Sequence, residues 1–156
     1  MIIVTGGTGF IGSNVVAELE ARGFHDITIC DTLGMGDKWR NIAKREIRDI
    51  VRPDDLFDYM KKRADEIDVI IHMGAISATT EKNADAIVEN NYKLSRMLWK
   101  FCANYDVRLI YASSAATYGD GTNGFNDDEH IKALAELQPL NAYGWAKHAF
   151  YRRVAR

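Results

Sequence analysis

The 156 residues are 47% apolar and 27% charged, with a formal net charge of −2 at neutral pH. That balance suits one soluble domain with a real core and offers no basic field for nucleic acid. No apolar run reaches the roughly eighteen residues of a membrane span, and the N-terminus lacks the basic stretch of a signal peptide. Ile2–Thr5 is a short β-branched run, the pattern of a buried parallel strand. Ile11, Val15, Val16 and Leu19 then share one helical face, and Gly23 supplies a C-terminal stop. Ile27–Cys30 predicts a second strand ended by Asp31, and residues 46–49 a third. Pro53, Asp54 and Asp55 read as the start of a helix that carries Leu56, Phe57 and Met60. Val69–His72 is the fourth strand. A long helix is expected over about residues 85–105, with Ile87, Asn91, Leu94, Leu98, Phe101 and Tyr105 on one stripe. Residues 109–112 make the fifth strand, a polar loop covers 119 to about 129, and a last helix begins near Leu140. Cys30 and Cys102 lie inside apolar segments and read as buried thiols, which makes the cytoplasm the expected location. With two prolines and no low-complexity stretch, residues 1–156 read as one domain without linker or repeat.

Strand and helix alternate, which implies a parallel sheet with helices on both faces. The natural closure is a three-layer αβα, Rossmann-like doubly wound sheet of order 3-2-1-4-5. Ligands in such sheets bind beyond the carboxyl ends of the strands, at the switch between the first and fourth. Chemically useful residues are therefore expected just after strands one, two, four and five.

The first strand runs directly into Thr5-Gly6-Gly7-Thr8-Gly9-Phe10-Ile11-Gly12 and a helix. Gly7, Gly9 and Gly12 satisfy G-x-G-x-x-G, and Gly6, Gly9 and Gly12 satisfy G-x-x-G-x-x-G. One glycine takes the tight turn, one lets the backbone approach a pyrophosphate, and one lets helix and strand pack closely. The helix N-terminus offers its N–H groups and positive dipole end to the anion. Asp31 stands nineteen residues after Gly12, where a carboxylate can accept bonds from an adenosine ribose. Lys38 and Arg40 could instead pair with a 2′-phosphate, so an acid favouring NAD and cations favouring NADP stand side by side. Asp49, expected at the end of the third strand, could hold the adenine amino group or be solvated surface.

Ser113-Ser114-Ala115-Ala116-Thr117-Tyr118-Gly119 closes the fifth strand, where a small hydroxyl faces the crevice. Tyr143 and Lys147 follow, spaced i and i+4 on a helix and so on one face. An ammonium beside a phenol favours the phenolate, and oxidation of an alcohol needs such a base for the hydroxyl proton. Asn91 interrupts an apolar stripe, so its amide needs partners, either near a ligand or at a local helix kink. Thr79 and Thr80 could reach a substrate, and His72, inside the fourth strand, reads as a packed core histidine rather than an acid. No cluster has metal-ligand spacing, so no metal is expected, and no G-x-S-x-G elbow is present.

The set G-x-x-G-x-x-G, S-S-A-A-T-Y-G and Y-G-W-A-K resembles the extended short-chain dehydrogenase/reductase family, in its NAD-dependent epimerase/dehydratase branch. Val4 to Gly7, His72-Met73-Gly74-Ala75, Asn90-Asn91-Tyr92 and Pro139 to Gly144 extend the likeness along the whole chain. The resemblance implies NADP or NAD held by Gly6, Gly9, Phe10, Ile11, Gly12, Asp31, Thr32, Lys38, Asp49, Met73, Gly74, Ala75, Ser77, Asn91 and Lys147. It implies Tyr143 as acid/base, tuned by Lys147 and assisted by Ser114, in an epimerase acting on a nucleotide-linked sugar. Family enzymes are homo-oligomers about twice this long, with a sixth strand and a smaller substrate domain after the Tyr/Lys helix. That C-terminal substrate domain is missing from these residues, and with it most sugar contacts and a second acid/base lysine. Residues 148–156 are accordingly expected to be poorly anchored. The other readings are a different sugar-nucleotide epimerase or dehydratase, and a non-catalytic dinucleotide-binding module.

Overall fold

The computed structural model describes every residue from Met1 to Arg156. Its five parallel strands are β1 Ile2–Thr5, β2 Ile27–Cys30, β3 Asp49–Val51, β4 Val69–His72 and β5 Arg108–Tyr111. They lie in the order β3-β2-β1-β4-β5, so the winding reverses between β1 and β4. This is the doubly wound, Rossmann-like parallel sheet with flanking helices that the alternation of the sequence predicts. All four residues of β1 and all four of β2 are buried, which is why these strands read as unbroken apolar and β-branched runs. Thr5 pairs in register with both Cys30 and His72, which brings the carboxyl ends of the three central strands level.

The helices are α1 Phe10–Ala21, α2 Leu56–Lys61, α3 Ala84–Ile87, α4 Leu94–Tyr105, α5 Ile131–Glu136 and α6 Ala142–Val154. Backbone packing divides the chain into two compact units. The first is Met1–Gly74 with Trp99–Tyr111, and the second is Ala75–Leu98 with Ala112–Arg156. The first holds the entire sheet, and its core is built on Val4, Val16, Ile27, Ile29 and Ile71. Burying side chains of this kind stabilises by about 1.5–3 kcal/mol each.

Several expectations shift. The third strand is Asp49–Val51 rather than 46–49, so Asp49 opens it instead of ending it. The long helix over 85–105 exists in three pieces, with a π-helical turn at Val88–Lys93 joining α3 to α4. Tyr105, placed on the buried stripe by its spacing, is 47% exposed, because α4 ends there. The polar stretch after Gly119 is followed by α5, which the sequence reading passed over. The last helix starts at Ala142 because the Asn141 side chain accepts from Gly144 N at 2.8 Å and caps it. Residues 148–156 are better anchored than expected: α6 runs on to Val154, and His148 and Phe150 are buried.

Candidate functional site

In the first unit the turn after β1 is shaped by what glycine lacks. Gly6 has φ +67°, in the left-handed region, and a Cβ there would lie 2.7 Å from Gly74 Cα. A Cβ on Gly12 would lie 2.2 Å from the Gly6 carbonyl oxygen. The loop therefore folds tightly on itself, with Gly9 N donating to Gly6 O at 3.0 Å, and α1 starts directly after Gly9. No acidic residue stands in the first turn of α1. Phe10 and Ile11 are exposed there. A glycine cradle opening onto a helix N-terminus fits the diphosphate of a dinucleotide.

Asp31, just after β2, gathers four donors. Its Oδ2 accepts from Thr8 N at 3.0 Å and Thr8 Oγ1 at 2.5 Å. Its Oδ1 accepts from Thr32 N at 2.8 Å and Lys38 Nζ at 2.7 Å. Burial pushes the Asp31 carboxyl up, but Lys38, Thr8 and Thr32 outweigh it and hold the group below the usual carboxylate range. Asn41 Nδ2 donates to Thr8 O at 2.8 Å, so the segment after β2 also braces the glycine loop. Arg40, the other cation considered for a phosphate, pairs with Asp37 and lies over the Trp39 ring.

In the second unit the residues are set by caps and one close approach. Ser114 is extended and caps a short 3₁₀ turn, Ala115–Tyr118, by accepting from Ala116 N at 3.2 Å. A Cβ on Gly144 would lie 2.5 Å from Ala116 O, so only glycine lets α6 approach that turn. Tyr143, in the first turn of α6, is half-buried, and Lys147 is only 2% exposed. Lys147 Nζ donates to Ala112 O at 2.6 Å, and burial lowers its pKa to about 8. Asn91, in the π-helical turn, accepts from Ile76 N at 2.8 Å and donates to Ile76 O at 2.9 Å. Its amide thus clamps the segment after β4 rather than merely filling a local kink.

The profile of the NAD dependent epimerase/dehydratase family matches residues 2–156. The chain belongs to that family. It is 51% identical over 152 residues to an ADP-L-glycero-D-manno-heptose-6-epimerase of Fusobacterium nucleatum, covering 96% of this chain and 46% of that one. It is 47% identical over 153 residues to the protein of the same name from Nitratidesulfovibrio vulgaris, with the same coverage. The chain therefore spans about half the length of the curated relatives it matches. Among solved structures, the Helicobacter pylori ADP-L-glycero-D-manno-heptose-6-epimerase matches with TM-score 0.74 at 25% identity, covering 96% of this chain and 48% of that one. The Bacillus cereus UDP-glucuronic acid 4-epimerase in complex with NAD matches with TM-score 0.77 at 25% identity, covering 99% of this chain and 51% of that one.

Within this epimerase/dehydratase chain, the first unit contains Gly6, Gly9, Phe10, Ile11, Gly12, Asp31, Thr32, Lys38, Met73 and Gly74 of the expected residues. The second contains Ala75, Ser77, Asn91, Ser114, Tyr143 and Lys147. Asp49 stands apart from the expectation. It is exposed at the amino end of β3, its Oδ1 accepts from Ile50 N, and the carboxyl end of that strand is Val51. Thr79 and Thr80 are exposed. Sequence reasoning missed Thr8, fully buried with three hydrogen bonds to side chains, and Asn41. The one signal for Thr8 was a hydroxyl residue inside the glycine loop. His72 is buried as expected, but it is bonded to Thr5, a pairing that spacing does not reveal.

Proposed function

We propose that residues 1–156 form the NAD(P)-binding domain of an enzyme that epimerises C6 of an ADP-glycero-manno-heptose, a precursor of lipopolysaccharide heptose. The names of the relatives at 51% and 47% identity support the substrate. The observation that carries the chemistry is the buried Lys147 ammonium one helical turn after Tyr143, in the same unit as Ser114.

When bound, the nicotinamide cofactor supplies reversible two-electron oxidation and reduction of the sugar carbon. The chain's own residues handle the proton. Tyr143 takes the C6 hydroxyl proton on one face of the sugar carbon. Lys147, one helical turn after Tyr143, holds the nicotinamide ribose. The Ser114 oxygen accepts from Ala116 N, which leaves its own proton to donate to the reacting oxygen. The glycine loop and the N-terminus of α1 hold the diphosphate, and Asp31 with Lys38 faces the adenosine ribose. Because Lys38 neutralises Asp31, a 2′-phosphate does not meet a bare carboxylate, and the domain takes NADP as well as NAD. The free thiols of Cys30 and Cys102, pushed up to about 12 and about 11 by burial, with the Asp31 charge adding to the former, suit a cytoplasmic enzyme.

Offering ADP-heptose and cofactor to the protein at its full length, and separating the C6 epimers, tests this reading. Tyr143→Phe should cost roughly 10²–10⁴ in turnover while cofactor stays bound. Unchanged turnover would overturn the assignment. Turnover of a UDP-sugar instead would move the enzyme elsewhere in the family, and cofactor binding without any turnover would make the chain a binding module.

A further inference from the structure

The last residues of β1 and β4 are engaged in a contact that the chemistry above does not use. Thr5 and His72 pair in register and are 2% and 0% exposed. Thr5 Oγ1 lies 2.6 Å from His72 Nδ1 and accepts from Gly74 N at 3.1 Å. Met73 N donates to Thr5 O at 3.2 Å. The two turns are also tight against each other, since a Cβ on Gly6 would lie 2.7 Å from Gly74 N and one on Gly74 3.2 Å from Gly6 N.

A hydroxyl has one proton and two lone pairs. The Gly74 amide takes one lone pair, and the proton of a buried hydroxyl needs an acceptor. His72 Nδ1 stands at hydrogen-bond distance and serves as that acceptor when the ring proton is on Nε2. Bulk alone does not explain a histidine here, because an apolar side chain fills a buried strand position without a polar group to satisfy.

We propose that His72 is a positioning residue. As a neutral acceptor at Nδ1 it fixes the rotation of the Thr5 hydroxyl. The hydroxyl then keeps a lone pair on the Gly74 amide and seats the turn after β4 against Gly6 of the cofactor loop. With the proton on Nδ1 the ring would donate to the hydroxyl instead, whose own proton would turn to another acceptor, so the ring would no longer hold it. The link to cofactor affinity rests on the dinucleotide reading above.

Four measurements on the unsubstituted chain and four variants test it. Nitrogen-15 spectra of the imidazole at neutral pH should show Nδ1 bare and Nε2 protonated. In Thr5→Val and His72→Leu, the Gly74 amide should exchange with solvent roughly tenfold faster, and NADP and NAD should bind roughly five- to tenfold more weakly. Thr5→Ser restores the hydroxyl and His72→Asn restores an acceptor at the δ position, and both should recover most of the protection and affinity. A protonated Nδ1 overturns the proposal. So do Thr5→Val and His72→Leu proteins that melt earlier yet keep the Gly74 protection and the affinity of the original, which is what a packing role alone produces. If the unsubstituted chain binds neither cofactor, the dinucleotide reading fails, and the Gly74 exchange and the nitrogen-15 spectra alone decide whether His72 positions the turn.

Discussion

The glycine loop of the first unit and the Ser114, Tyr143 and Lys147 set of the second are held by opposite means. The loop depends on missing side chains. Gly6 occupies a left-handed conformation, and Gly12 leaves a space that a single carbon would close. The second set depends on a side chain that is costly to bury. Lys147 keeps its ammonium inside the protein, bonded to the Ala112 carbonyl, at the expense of its charge stability. Backbone-built and charge-built sites should therefore fail differently. Damage to the first should lower fold stability and ligand affinity together. Damage to the second should remove chemistry while leaving the fold intact or firmer.

Lys147→Met offers the largest contrast. Turnover at full length should fall by roughly 10²–10⁴, as expected when acid/base chemistry at Tyr143 loses the cation one helical turn away. Stability at pH 7 should hold or rise, because an apolar chain of similar length replaces a buried cation. The pH dependence fixes the sign. The folded pKa of Lys147 is lowered to about 8 from 10.5, so between these values the unfolded chain binds more protons. The contribution of Lys147 is then a constant penalty below pH 8. The penalty is relieved by about 3 kcal/mol as pH climbs to about 10.5. Denaturant unfolding of both proteins across that range checks it: the stability of the original chain minus that of the variant should rise, and a flat difference would mean that the ammonium is not buried in solution.

Gly12→Ala should show the other behaviour. The added carbon meets the Gly6 carbonyl oxygen at 2.2 Å, so the loop must shift. A cost of about 1–3 kcal/mol in stability is expected from such overpacking, with dinucleotide affinity falling in step. Thermal unfolding and a cofactor titration on the same sample decide whether the two move together. An unchanged affinity in a destabilised protein would break the comparison, since the loop would then matter for folding alone.

The same difference explains what could be read from residues in order. Ile2–Thr5, Ile27–Cys30 and Val69–His72 were legible because strands covered on both faces leave little room for polar residues. The glycine loop was legible because a steric demand removes side chains at fixed offsets. Ser114, Tyr143 and Lys147 were legible as a pattern of types, but the burial of Lys147 and the carbonyl that receives it depend on how α6 approaches the 3₁₀ turn, which Gly144 permits and no spacing announces. The third strand slipped because Asp49 and Ile50 are exposed at the sheet edge, where no apolar run marks the boundary. The partners of Asp31 were hidden for a related reason. Thr8, Thr32 and Lys38 meet it only once the loop and the segment after β2 are folded.

That last group yields the smallest and most specific test. In sequence, Asp31 and Lys38 argued for different cofactors, as though they acted independently. In the structure they are one ion pair with N···O 2.7 Å, Asp31 largely buried and Lys38 42% exposed. An exposed ammonium can turn to a phosphate without leaving the carboxylate's field, whereas Asp31 is held by three further donors and cannot move away. Lys38→Ala should thus expose a carboxylate with no cation beside it. Affinity for NADP should fall by about tenfold, the scale of one charge-assisted bond, while affinity for NAD changes little. Parallel titrations with the two cofactors read the ratio directly. Equal losses for both would mean that Lys38 shapes the segment after β2 rather than choosing the nucleotide. The choice between the two nucleotides would then not rest on the Lys38 charge.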